Sequence, residues 1–145
     1  MSPSSSLPSH LLIFAAGFLA VITGHQCIVA GLNAAGILPP GFPAWSFDPV
    51  PPFGVPTLIS KAFWGGLWAI LIAALLNNTR GAAYWIGWTV LGAVALPLVA
   101  IFVVPPLKGL PVPDFMSRFP LYALINAVWG FVTALILRVL GKGGG

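Results

Sequence analysis

The chain contains no glutamate, two aspartates (Asp48 and Asp114), one cysteine (Cys27) and two histidines. Each scarcity excludes something. With both carboxylates isolated from one another, no acid–base pair stands ready for hydrolysis. No nucleophile has a base beside it, and no P-loop, dinucleotide fingerprint or zinc spacing occurs. The chain is therefore read as a non-enzyme. One cysteine excludes a disulfide scaffold. The six Lys and Arg are scattered, so there is no basic stripe and no nucleic-acid partner is expected. Charged residues make up 6% of 145, against about 25% in a water-soluble domain. Eight charged side chains cannot cover a soluble surface.

What is abundant is apolar. Such residues are 59% of the chain and the mean hydropathy is +1.02. Four runs, at about residues 11–32, 57–76, 82–104 and 121–140, are each long enough to cross roughly 30 Å of hydrocarbon. Lipid offers backbone no hydrogen-bond partner, so each run must be a helix. The runs are continuous, not alternating, which excludes barrel strands. The expected fold is a single all-α transmembrane domain over residues 1–145, with the lipid bilayer as its surroundings. The stretch before the first run has no Lys or Arg, and Gln26 before Cys27 departs from a lipoprotein cleavage site. That run is read as a retained span.

Two Pro-rich loops, 38–56 and 105–120, follow the first and third runs. Similar signatures recur around them: Pro39-Pro40 and Pro105-Pro106; Pro49-Val50-Pro51-Pro52-Phe53 and Pro111-Val112-Pro113-Asp114-Phe115; Ala62-Phe63-Trp64-Gly65 and Ala127-Val128-Trp129-Gly130. The order points to a duplicated helical hairpin whose copies are parallel, with both loops on one side. The short link after Asn77 predicts that the second and third helices are adjacent and antiparallel. Phe42, Trp45, Phe47, Phe53, Phe115 and Phe119 lie in the loops and suit an interfacial cap.

Helices in lipid attract by close backbone approach. The first run carries a small-residue seam at Gly17, Ala20, Gly24, Cys27, Gly31 and Ala34, expected to pack within the chain. The second has Gly65, Ala69 and Ala73, and Gly130 takes the matching place in the fourth. Pro97 is expected to kink the third. Lys61 is expected to lie along Trp64 and reach the interface. Its counterpart Asn126 is placed to hydrogen-bond across helices, and Thr133 lies on the same face. Asp114 is expected to cap the fourth helix or pair with Arg118. The tail 141–145 is expected to be disordered.

Polar residues inside a membrane point to function by default. His25, with Gln26 beside it, is the foremost. One reading is a neutral imidazole bonded to a backbone carbonyl or to Asn126. Another is a single axial ligand to haem or a chlorin, although no cofactor is required. His25 and Cys27 diverge by about 200° on a helix, so they cannot chelate one metal, and none is predicted. The absence of an intramembrane carboxylate argues against a proton-coupled exporter. A channel lined by Gln26, Lys61, Asn126 and Thr133 is the alternative.

The stretch Pro51-Pro52-Phe53-Gly54-Val55-Pro56, followed by Ala62-Phe63-Trp64-Gly65-Gly66-Leu67-Trp68, resembles a group of small bacterial four-helix membrane proteins of unknown function. His25-Gln26 and Asn126 to Gly130 are similar too. The resemblance implies a bacterial inner (cytoplasmic) membrane location and no activity. Arg80, Arg138 and Lys142 on one side, against Lys61, Lys108 and Arg118 on the other, leave the charge rule balanced; both termini are placed in the cytoplasm. The expected role is an accessory or assembly subunit of a larger membrane complex, in contact with other subunits or with copies of itself.

Overall fold

A computed structural model describes residues 9–143. It is helical, with four spans long and apolar enough to cross a membrane: Ser9–Ala34, Thr57–Leu75, Ala82–Leu107 and Phe115–Val139. The first is interrupted by a π-turn at Val21–His25. The first loop adds a two-residue hairpin, Pro49–Val50 with Val55–Pro56.

The third and fourth spans run further into the second loop than hydropathy suggests, leaving 108–114 as its irregular part. Pro105 and Pro106 lack the N–H groups that would reach Ile101 and Phe102, so the helix breaks at Val103 and restarts as Val104–Leu107. They stand at the start of that turn, where proline is tolerated. Pro39 and Pro40, by contrast, follow a helix already closed at Gly36. There Gly36 holds φ +70° and the Ile37 N–H returns to Leu32 O at 3.0 Å, a Schellman closure that a residue without Cβ permits.

The fourth span begins at Phe115, upstream of the expected 121, because Asp114 caps it. The Asp114 carboxylate accepts from Ser117 N at 2.9 Å. Pro120 lies inside the helix near its start. Arg118 turns elsewhere, with its guanidinium 5.2 Å above the Phe42 ring. Asp114→Ala is expected to cost about 1 kcal/mol and to fray 115–119, visible as faster amide exchange there and unchanged exchange at Tyr84. The tail is ordered at its start: Lys142 N returns to Leu137 O at 2.8 Å. Gly144 and Gly145 lie outside the described residues.

The first span packs on the second and the third on the fourth, and the fourth bridges to the first. The second and third, expected as packed neighbours, meet only near their shared link, where Leu76 fills the space beside Gly87. Both partnerships within a pair rest on glycine. A Cβ at Gly17 would strike the Gly65 carbonyl oxygen, and one at Gly92 would come 2.5 Å from Asn126 O. In lipid this close approach replaces the hydrophobic drive that water supplies. Ala16, Ala20, Ala62 and Ala69 fill the first contact, and Trp88 and Trp129 the centre.

The Gly17–Gly65 contact sets the register. Counting outwards along antiparallel helices puts Thr57 level with His25. The second span, 19 residues or about 28 Å, therefore starts where the last turns of the first, Gln26–Ala34, still continue. The first loop covers what the second span leaves bare. Leu38 and Ala44 pack on Val29, Leu32 and Ile125. Phe42 meets the Tyr122 ring edge-on at 6.2 Å. The loop carbonyls of Asp48 and Ser46 take the free N–H groups of Thr57 and Leu58, each at 2.9 Å.

Candidate functional site

The polar residues of the first span gather where its helix is irregular. In the π-turn the Gln26 N–H reaches back to Val21 O. This diverts it from Ile22 O, its α-helical partner. The indole Nε1–H of Trp45 donates to Ile22 O at 2.8 Å. The Trp45 backbone N–H donates to Gln26 Oε1, also at 2.8 Å. Trp45 holds φ +49°, a left-handed conformation rare for a bulky residue. Its two hydrogen bonds hold it there. Gln26 is buried, and its Nε2 lies 3.0 Å from His25 Nδ1.

His25 is thus satisfied neither by a backbone carbonyl nor by Asn126, but by its neighbour on the chain. It is half-buried and level with the first residue of the second span. Since Gln26 donates to Nδ1, the imidazole hydrogen sits on Nε2. An axial haem ligand instead carries its hydrogen on Nδ1 and offers Nε2 as a lone pair. As arranged, His25 presents its Nε2 as a donor. Among the described residues no three His, Cys, Asp or Glu side chains come together as a metal site.

The other candidates do not join this cluster. Asn126 Nδ2 donates to Tyr122 O on its own helix at 2.8 Å, so it makes no cross-helix bond. An amide two or three bonds from the backbone finds the carbonyl one turn back more readily than one on another helix. Thr133 does the same to Trp129 O and is fully buried. Lys61 is exposed and one turn into the second span. Among the described residues, the cation–π contact is Arg118 on Phe42 and not Lys61 on Trp64.

The seam divides. Gly17 and Ala20 are buried, and Gly24 abuts Val132 and Val128 of the fourth span. Cys27, Gly31 and Ala34 are exposed, and nothing lies within 4 Å of a Cβ built on Gly31. The π-turn separates the two halves. Gly65, Ala69 and Gly130 are buried.

Two residues carry more than the sequence suggests. Trp129 is fully buried and donates its Nε1–H to Gly17 O at 3.0 Å, tying the fourth span to the first. Trp88 meets it edge-on at 6.5 Å. Tyr84 donates to Ala134 O at 2.8 Å near the other end. The one signal for these was aromaticity with a polar handle in an apolar run.

No protein-family model matches the chain, and no curated protein or solved structure is significantly similar to it.

Proposed function

We propose that the protein is a non-catalytic integral membrane protein, an accessory or assembly subunit of a larger bacterial inner-membrane complex. The observation that carries this reading is the filled axis of the bundle. Trp129, Trp88, Ala16, Ala20, Ala62 and Ala69 occupy it at 0–1% exposure, and the buried polar side chains Gln26 and Thr133 each have a hydrogen-bond partner within the chain. Such an interior leaves the outer face to act. Cys27, Gly31 and Ala34 offer that face a groove of the kind that elsewhere in the chain admits another helix.

The fold is further proposed to descend from a duplicated hairpin, with both Pro-rich loops at one end and both termini in the cytoplasm. Gly65 and Gly130, equivalent in the two signatures, each mark the crossing within their pair. Phe42 of the first loop rests on Tyr122, just past the second loop. The copies have diverged: Trp129 is buried, whereas Trp64 is 58% exposed.

Extraction in native lipid followed by mass spectrometry of what co-purifies tests the role. A stoichiometric second membrane protein is expected. Recovery of this chain alone, with solute flux into liposomes that His25→Ala or Asn126→Ala abolishes, would replace the reading with a channel.

A further inference from the structure

The hydrogen bonds around Gln26 determine what a proton on His25 does. A backbone N–H can only donate, so the atom of Gln26 facing Trp45 is its amide oxygen. The amide nitrogen then faces His25 Nδ1. An NH₂ group also only donates, so Nδ1 is a bare acceptor and the ring is neutral. A protonated imidazole carries hydrogen on both nitrogens. Nδ1–H would oppose the Gln26 N–H, donor against donor. Turning the amide over satisfies His25 but aims the NH₂ at the Trp45 N–H. Either way one bond is lost, and the indole–Ile22 bond is left to hold a backbone whose left-handed φ is unfavourable for a bulky residue.

We propose that His25 and Gln26 form a proton-operated latch: with neutral His25 the first loop is held on the first span through Trp45, and proton uptake by His25 releases it. The placement suits this, since His25 is only half-buried and stands beside the first loop, level with the start of the second span. Every neighbouring element's charged groups are accounted for. The second span's charged group is Lys61, exposed and one turn in from its start. On the loop, Asp48 accepts from Ser46 Oγ at 3.2 Å. On the fourth span, Arg118 and Tyr122 are engaged with Phe42. The first span's other titrating groups are His10, fifteen residues away, and the exposed Cys27.

The test uses the full chain in lipid nanodiscs, with Cys27→Ser and a nitroxide on Phe47→Cys, a position 68% exposed and two residues past Trp45. The mobile fraction of the spin-label spectrum is expected to rise severalfold on acidification from about pH 8 to about pH 3. His25→Leu removes the titrating ring but leaves the Trp45–Gln26 bond, and its spectrum is expected to stay ordered throughout. Gln26→Glu supplies a carboxylate that accepts from Trp45 N–H and from Nδ1–H together, so it too stays ordered in acid. Asp48→Asn, which removes the loop's own titrating group, keeps the transition. A flat wild-type profile overturns the proposal. So does a transition that survives in His25→Leu or in Gln26→Glu, or one that vanishes in Asp48→Asn.

Discussion

Trp129→Ala is expected to destabilise the protein by about 3–5 kcal/mol, more than any other aromatic truncation. The indole is fully buried at the point where three spans meet, 3.2 Å from a Cβ built on Gly65 and edge-on to Trp88. Its removal leaves a cavity that glycine and alanine neighbours cannot close, because their side chains have nothing to extend. It also withdraws the donor from Gly17 O. Trp129→Phe keeps the six-membered ring but loses the pyrrole ring with its donor, for an intermediate cost of about 2 kcal/mol. Trp64→Ala, in the equivalent signature, removes a ring that is 58% exposed, and is expected to change stability by less than about 1 kcal/mol. The fraction remaining monodisperse after heating in detergent, read by size exclusion, ranks the three. A Trp64→Ala variant as labile as Trp129→Ala would contradict this placement.

That pair of tryptophans shows what the sequence conveys and what it withholds. Length and hydropathy alone locate four spans, because in lipid the only solution for a long apolar run is a helix. The ends are harder. Pro120 looks like a helix start, yet the helix runs through it at the loss of the bond to Met116 O, because Asp114 supplies upstream the cap that hydropathy does not register. Partnership is harder still. The short link from Asn77 to Gly81 suggests that the second and third spans are adjacent and antiparallel, but the close contacts are chosen by glycines distant in sequence: Gly17 with Gly65, and Gly92 with Gly130.

The site was legible only by residue type. His25 and Gln26 stand out as polar side chains in an apolar run, but their partner Trp45 lies nineteen residues beyond Gln26. A π-turn has no period of its own to betray it, and the left-handed conformation of Trp45 has no glycine to announce it. The expected bonds to Asn126 failed for a local reason: short polar side chains on a helix find the carbonyl one turn back, as Asn126, Thr133, Thr23 and Thr89 all do.

Gly130→Val is expected to part the third and fourth spans at a cost of about 3 kcal/mol. Its Cβ would meet the Trp88 carbonyl oxygen and lie 3.0 Å from the carbonyl carbon, and both belong to backbone that has no rotamer to yield. The opposite glycine, Gly92, is as tightly placed against Asn126 O, so the strain cannot be passed across the contact. Gly31→Val is the informative comparison. Nothing lies within 4 Å of that Cβ, and valine is a better helix former than glycine by a few tenths of a kcal/mol. Its own fold should therefore be unharmed, with a heating midpoint at or slightly above wild type. If the exposed Cys27–Gly31–Ala34 groove receives another subunit's helix, Gly31→Val loses the co-purifying partner while keeping that midpoint. Gly130→Val, by contrast, loses the midpoint first. Retention of the full partner complement by a well-folded Gly31→Val protein would remove this groove as the contact, and with it the surface that the assembly role most directly uses.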